Sequence, residues 1–295
     1  MPDAHSTLCL GSISGPLLIF GGPYSNSHAL EALRQEAKRL GIPPEHCICT
    51  GDIVAYCAQP TQTVAAIRDW GVHCLLGNCE ESFANNTNDC GCGFETGTQC
   101  DILSAQWFNF ANTHINNDAR QWFASLPRSI TFELNGIASQ VVHDSPSSIN
   151  QFMFASTSKD IFRQELALSD AELIIGGHCG IPFTRCIDGR LWHNAGAIGM
   201  PANDGSTHTW FSILDTDNSQ LSVTMHELHY DASSAHQAML DANMNNGYAK
   251  ALITGLWPSM DVLPIAEQAQ QGQPLQTQQL IIERASLNDK PVFSL

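Results

Sequence analysis

The most constraining feature of this chain is a unit that repeats near its start: a short apolar run, a polar loop and a helical pattern follow one another. Residues 17–20, 46–49 and 74–76 each have the length and apolarity of a buried strand, and each ends at glycine or another turn-forming residue. Helical spacing of apolar residues follows the first two runs, and Pro60 is well placed to open the second helix. Strands that alternate with crossover helices form a largely parallel sheet, where ligands bind at the carboxyl ends of the strands. The sequence therefore predicts an α/β fold with its site at that edge.

The rest of the chain is predicted to complete one domain over residues 1–254. Helical patterns and then strand-like runs fill its second half, and two pairs of runs flank the turn signals Asp188-Gly189 and Asp217-Asn218. Residues 79–102 interrupt this order with a long insertion rich in Asn, Gly and Cys, and loops of this length are often functional. Residues 255–295, which become rich in glutamine, are predicted to form a C-terminal extension that runs over the surface.

The charge balance excludes several classes of partner. The chain carries 13 Lys and Arg against 29 Asp and Glu, a formal net charge of −16, and has no basic cluster to neutralise phosphates. We therefore expect neither nucleic acid nor an anionic membrane as a partner, and we expect a small-molecule substrate, with a homodimer left open. The start lacks the basic and apolar segments of a secretory signal, and no apolar run is long enough for a membrane helix, so a cytoplasmic location is expected.

Four residues of metal-ligand type follow predicted strands, each beside a turn-forming residue. They are Asp52, Asn78, His143 and His178. One carboxylate, one amide oxygen and two imidazoles suit Zn, Mn or Fe. A single histidine at a strand end is commonly structural, but four such residues at the same edge of a sheet predict a metal site.

At these residues the chain resembles the calcineurin-like metallophosphoesterase superfamily, in particular its small cytoplasmic bacterial and archaeal phosphodiesterases. The family's motifs run in the order Asp-x-His-Gly-Asn, Gly-Asp, Gly-Asn-His-Asp/Glu, Val-His-Gly-x-Pro, Gly-His-x-His and Asn-Pro-Gly-Ser-Val-Gly. The corresponding segments here are 22–26, Gly51-Asp52, 77–80, 142–146, 177–180 and 194–199. The resemblance implies a four-layer αββα sandwich, two mixed β-sheets flanked by helices, and a metal-dependent hydrolase that acts on a phosphoester through an activated water.

The departures from the family pattern fall on the site. One metal of the family uses the first Asp and His and the last His of Gly-His-x-His, and Gly22, Tyr24 and Gly180 stand there instead. The resemblance assigns the other metal to Asp52, Asn78, His143 and His178. Cys79 replaces the histidine that the family uses to protonate the leaving group. Cys79, Tyr24 and Asp52 are therefore the predicted catalytic positions.

Three interpretations follow from these departures. The first is a single metal that still hydrolyses a phosphoester. The second is a site rebuilt by Tyr24 phenolate and thiolates, holding a different metal and running redox or sulfur chemistry. The third is a binding or sensing module without turnover. The residues that would supply extra ligands to such a site are Tyr24, Cys79, Cys90, Cys92, Cys100 and Cys179.

Other residues receive weaker predictions. Asn26 and Asn194 are predicted to face the substrate, and the insertion is alternatively a lid in which Cys90 pairs with Cys100 or packs as an apolar residue. The remaining six cysteines are expected to be small buried apolar residues. Residues 225–229 alternate as in a strand, which places Glu227 and His229 on one face without a predicted role. Trp257 is predicted to close the core or a subunit contact rather than to bind substrate.

Overall fold

The computed structural model describes residues 6–217 and 220–283, and within them the strands form two six-stranded sheets. The strands are β1 (Thr7–Ile13), β2 (Leu17–Phe20), β3 (Cys47–Cys49), β4 (His73–Cys74), β5 (Ser129–Leu134), β6 (Ile137–Val142), β7 (Leu173–Gly176), β8 (Phe183–Ile187), β9 (Arg190–Asn194), β10 (Thr209–Asp217), β11 (Gln220–Leu228) and β12 (Gln279–Glu283). One sheet has the order β1-β5-β6-β7-β9-β8 and the other β12-β11-β10-β2-β3-β4. Each contains parallel and antiparallel pairs, so both sheets are mixed.

The helices cover the outer faces of the sheets. They are α1 (Ser27–Leu40), α2 (Pro60–Trp70), α3 (Asn78–Asn85), α4 (Gln99–His114), α5 (Asn117–Ser125), α6 (Lys159–Leu166), α7 (Ala232–Asp241), α8 (Gly247–Thr254) and α9 (Ile265–Gln268). A short 3-10 turn over Pro44–His46 precedes β3. None of the helices in the described part of the chain is long and apolar enough to cross a membrane.

The alternation of side chains along β2 shows how the layers are built. Leu17 and Ile19 point into the core between the two sheets, where they meet residues of the other sheet such as Val141. Leu18 and Phe20 point the other way, into the core beneath the helices that cover this sheet. A third core, around Phe162 and Trp192, lies on the opposite outer face. The predicted four-layer αββα sandwich is confirmed.

The local signals for elements were mostly correct. Asn26 caps α1 by accepting a hydrogen bond from the Ala29 amide, and Gly41 ends the helix in the left-handed conformation. The Asp188-Gly189 turn joins β8 to β9, whereas Asn218 of the other turn signal lies outside the described residues. The insertion is more ordered than expected, because α3 and α4 occupy its two ends and leave only 86–98 irregular.

Two edge strands were not predicted. β1 lies at one edge of its sheet and β12 at one edge of the other, and both are largely exposed, so neither carries the apolar signature of a buried strand. β12 belongs to the C-terminal extension and pairs antiparallel with β11. The extension therefore adds to the sheet instead of only running over the surface, while the domain division at residue 254 stays a prediction.

Candidate metal centre

The loops after four strands bring the four predicted ligands together. Asp52 follows β3, Asn78 begins α3 just after β4, and His143 and His178 follow β6 and β7. None of the four is more than 6% exposed. The expected convergence of strand ends from both sheets therefore occurs, at a buried point.

The donor and acceptor roles at this point are fixed by the surrounding backbone. The Nδ1 atom of His143 lies 2.6 Å from the Thr50 carbonyl oxygen, so it carries a proton and leaves Nε2 as an acceptor in the neutral ring. That Nε2 atom lies 3.0 Å from Asn78 Oδ1, 3.1 Å from His178 Nδ1 and 3.3 Å from Asp52 Oδ2. Three of these atoms, His143 Nε2, Asn78 Oδ1 and Asp52 Oδ2, are acceptors that a cation between them would satisfy, and His178 Nδ1 is a fourth when its ring proton lies on Nε2. The residues present thus fit a divalent metal.

In the metal-free protein a proton on His143 supplies that positive charge. Burial disfavours the imidazolium, but the adjacent Asp52 carboxylate and the Thr50 carbonyl outweigh it and raise the pKa of His143 to about 9. Burial likewise opposes ionisation of Asp52, and the two histidines outweigh it and lower the pKa of that carboxyl. A metal that binds here must displace the His143 proton.

The cysteine insertion orients Asn78. The Asn78 Nδ2 group donates to the Cys90 carbonyl oxygen at 2.9 Å and approaches Cys92 Sγ at 3.4 Å, which turns Oδ1 toward the histidines. Cys90 and Cys92 form a disulfide, with Gly91 between them in the left-handed conformation. The expected Cys90–Cys100 pair is wrong, because the turn at Gly91 brings Cys92 to Cys90 while Cys100 lies in the first turn of α4.

Glu80 belongs to this centre, although the sequence analysis gave it no role. Its buried carboxylate accepts hydrogen bonds from the backbone amides of Asp52 (2.8 Å), Val54 (3.0 Å) and Gly77 (3.2 Å). Burial, followed by the charge of Asp52, raises the pKa of Glu80 to about 7 against these hydrogen bonds. Glu80 thus ties the Asp52 loop to the start of α3. The available signal was an acidic residue in the first turn of a helix that begins with a predicted ligand.

Tyr24 fills the place where the resemblance puts the second metal. A Cβ atom added at Gly22 would overlap the Tyr24 ring, and one added at Gly180 would lie 3.4 Å from the Tyr24 hydroxyl oxygen. Tyr24 is buried, and burial together with the charge of Asp52 raises its pKa well above the ordinary value. The ring therefore occupies the volume that an acidic side chain at position 22 would need, and its hydroxyl lies in contact range of a side chain at position 180. Its role as a phenolate ligand stays a prediction.

The other predicted ligands surround the centre. Cys79 is buried beside Asn78, and Cys100 and Cys179 line an adjoining cavity. Within the described residues, the close groups of His, Cys, Asp and Glu ligand atoms are Asp52 with His143 and His178, and a surface group formed by His208, Glu227 and His229. Neither group includes a sulfur atom, so the thiolate ligands stay predictions.

The side chains of the two asparagines predicted to face the substrate form hydrogen bonds within the protein. Asn26 donates to the Gly199 carbonyl oxygen at 3.1 Å and caps α1, and Asn194 Oδ1 accepts from the Gly196 amide at 3.0 Å. Both are buried. Their contact with a substrate stays a prediction. Among the six cysteines expected to be buried, Cys9 and Cys186 are instead exposed on strands β1 and β8.

A cavity of about 70 Å³ adjoins the centre on the side of His178. Its lining is largely aromatic and apolar. The residues come from the insertion, from the loop between β6 and α6 that contains Phe152 (the 152 loop), and from the C-terminal extension. Trp257 is among them, and it also packs against the third core, as predicted. No local pattern indicates this cavity, because its walls come from segments that are distant in the sequence.

Comparisons with known proteins agree with this fold. Residues 22–219, more than half of the chain, match the model of the calcineurin-like phosphoesterase superfamily domain. An uncharacterized protein of Methanocaldococcus jannaschii, MJ0912, is 24% identical over 260 residues, which cover 82% of this chain and 99% of that protein.

Two solved structures share the fold. A metallophosphoesterase from Sphaerobacter thermophilus has a TM-score of 0.64 at 20% identity, covering 83% of this chain and all of the other. The hypothetical protein PH1004 from Pyrococcus horikoshii has a TM-score of 0.68 at 17% identity, covering 81% and 98%. The chain belongs to the calcineurin-like phosphoesterase superfamily.

Proposed function

We propose that this protein hydrolyses a phosphoester with a single transition metal, held by Asp52, Asn78, His143 and His178. The observation that carries the proposal is the convergence of four buried acceptor atoms beside a second position that the Tyr24 ring fills. Iron, zinc and manganese all suit this mixture of oxygen and nitrogen ligands. When bound, such a metal would activate a water molecule for attack on phosphorus.

The residues around the ligands hold them in place. The Thr50 carbonyl fixes the tautomer of His143, and the Cys90 carbonyl fixes the amide orientation of Asn78. Groups of this kind commonly contribute 10- to 100-fold to metal affinity or activity. Glu80 acts one step further out, because it secures the backbone of Asp52.

The Cys79 side chain is a neutral thiol in this proposal. Burial, with the charges of Asp52 and Glu80, raises its pKa well above the ordinary value, so a thiolate nucleophile is disfavoured. A thiol with so high a pKa is a weak proton donor to a leaving group. Since a well-matched general acid contributes about 10²- to 10⁴-fold, we expect fast turnover only for esters whose leaving group needs no proton.

Reconstitution tests the proposal. Metal-free protein is loaded with Mn²⁺, Zn²⁺ or anaerobic Fe²⁺ and assayed with bis(4-nitrophenyl) phosphate, whose leaving group needs no protonation. We expect metal-dependent hydrolysis that His143→Ala abolishes. His208→Ala is the matched control, because it removes a histidine of the surface group and should leave activity unchanged. Absence of turnover with all three metals, in protein shown to bind them, would refute hydrolysis of this ester class.

The contact between the Cys90–Cys92 disulfide and Asn78 favours a second candidate, a thiol- or redox-responsive metal protein without phosphoesterase turnover. Reduction would place two thiols next to a predicted ligand. Metal content and absorption spectra of the oxidised and reduced protein, compared with Cys90→Ser/Cys92→Ser, distinguish the two candidates. Retention of metal and hydrolysis after reduction and in the double variant would argue against the redox candidate.

A further inference from the structure

We propose that the cavity beside His178 binds an apolar, ring-bearing group of the substrate, so that the protein prefers phosphoesters with an aromatic substituent and a single negative charge. This inference rests on the proposed function, because it places the reacting group at the metal ligands and the substituent in the cavity. The juxtaposition that carries it is an apolar aromatic cavity in contact with a buried metal-ligand histidine.

Three segments that lie far apart in the sequence build the cavity walls. The insertion contributes Phe94 and Cys100, the 152 loop contributes Phe152, and the C-terminal extension contributes Trp257. These segments are fastened to one another and to the fold by hydrogen bonds. The bonds are Asn150 Nδ2 to the Gly91 carbonyl at 2.8 Å, the Gln99 amide to Asp261 Oδ2 at 2.9 Å, and Trp257 Nε1 to the Pro201 carbonyl at 2.7 Å. The cavity is therefore a built feature of the folded chain.

The residues that line the cavity disfavour the binding of a highly charged group. Tyr24, Tyr56 and Tyr248 form one side, with ring centroids 4.7 Å apart for the first pair and 4.6 Å for the second. None of the described residues that line the cavity is lysine, arginine, aspartate or glutamate. A polyphosphate or a dianion would lose its hydration here without a compensating cation. An aromatic group would instead gain from burial and from contact with the rings.

His178 connects this cavity to the metal ligands. Its Nδ1 atom lies 3.1 Å from His143 Nε2, whereas its buried Nε2 atom has no hydrogen-bond partner in the protein. When Nδ1 is the metal ligand, Nε2 carries the ring proton and needs an acceptor. An ester oxygen between the phosphorus and an aromatic substituent would supply that acceptor.

Phe152 is held in an unusual conformation at the same place. Its ring centroid lies 4.2 Å from that of His178, and its backbone φ of 64° falls in the left-handed region, which bulky residues rarely adopt. Strained residues of this kind tend to occur at ligand sites, where the surrounding structure holds them. At about 70 Å³ the cavity is about half the size of one known to hold a benzene ring, roughly 150 Å³, so at most one ring enters it, and a dinucleotide is excluded.

Binding of two probes whose methoxide is a poor leaving group tests the inference by calorimetry on the Mn²⁺-loaded protein. The probes are the monoanions methyl phenylphosphonate and methyl methylphosphonate, which share the anionic group and differ in the ring. Neither has an oxygen between the phosphorus and the ring, so their difference reports binding of the ring alone. Burial of the ring predicts about 10- to 100-fold tighter binding of the phenyl probe. Phe152→Ala should remove most of this preference, measured as the ratio of the affinities for the two probes.

Two further variants keep the test decisive. Phe94→Ala tests the same wall should Phe152→Ala fold poorly, because the Phe94 ring stacks on that of Phe152 with centroids 6.1 Å apart. Trp122→Ala is the control, a half-buried aromatic on α5 that does not line the cavity. Equal affinities for the two probes, or a phenyl preference that both wall variants retain, would overturn the inference. A phenyl preference without hydrolysis of any ester would refute the proposed function alone, whereas hydrolysis without the preference would refute this inference alone.

Discussion

Binding of a metal at the centre should release one proton at neutral pH, because the metal replaces the proton on His143. The pKa of His143 is raised to about 9 in the metal-free protein, where Asp52 lies 3.3 Å away. Apparent metal affinity should therefore rise about tenfold per pH unit between pH 7 and 8. At pH 7 the competition with the proton weakens binding by about 100-fold, or about 3 kcal/mol, relative to the deprotonated site.

Calorimetric titration with Mn²⁺ in two buffers of different ionisation enthalpy counts the protons directly. We expect about one proton per metal in the native protein and in His208→Ala at pH 8, where Glu80, with a pKa of about 7, is already ionised and His143, with a pKa of about 9, still carries its proton. In His143→Ala the affinity should fall and its pH slope should flatten. Release of no proton by the native protein would refute the acceptor geometry, and release of two or more would point to thiol ligands, whose protons must also leave.

Protonation of His143 also affects the stability of the metal-free protein. A folded-state pKa above the ordinary value of 6.5 means that the His143–Asp52 pair stabilises the metal-free fold fully below pH 6.5. This stabilisation is lost as the pH rises through about 9. Urea unfolding of the metal-free protein at pH 6.5, 7.5 and 8.5 should show a steady decrease that His143→Ala lacks. A stability that rises over this window would contradict the assigned charges.

Three further predictions concern single residues. Tyr24→Phe keeps the ring that fills the second position, so metal content and hydrolysis should stay within about twofold of the native protein; loss of metal or of a visible absorption band would identify Tyr24 as a ligand. Glu80→Ala leaves three buried backbone amides without an acceptor and should lower the free energy of unfolding by about 2–4 kcal/mol. Urea titration measures this change, with substitution of the exposed Glu31 by alanine as the control. An unchanged urea midpoint would refute the role of Glu80. Trp192→Ala leaves a cavity at a fully buried position under α6 and should lower the free energy of unfolding by about 3–5 kcal/mol. A decrease below about 1 kcal/mol would show that this core is not packed as described.

The sequence predicted the elements whose burial leaves a mark on residue type. β2 and β7 are uniformly apolar, and α1 has a cap, an apolar stripe and a glycine stop, so their positions followed directly. β1 and β12 are exposed edge strands and carry no such pattern. Edge strands are set by their pairing with distant neighbours, which a local pattern does not encode.

The same distinction applies to the site. Asp52, Asn78, His143 and His178 follow strands, so their shared position at strand ends, together with the family resemblance, predicted that they meet. Tyr24 was recognised as standing at a ligand position, but its contact with Gly22 and Gly180 depends on the loop conformation. The cavity could not be predicted, because Phe94, Phe152 and Trp257 come together only through the packing of irregular segments.

The central claim is that one metal, and not two, occupies the centre. Anomalous diffraction from crystals of the Mn²⁺-loaded protein tests this most directly, since it locates each metal independently of activity. The account predicts a single peak at the centre, among Asp52, Asn78, His143 and His178, with the Tyr24 ring beside it. A second peak about 3.5–4 Å away on the side of Tyr24, the usual separation in two-metal sites, would contradict the account.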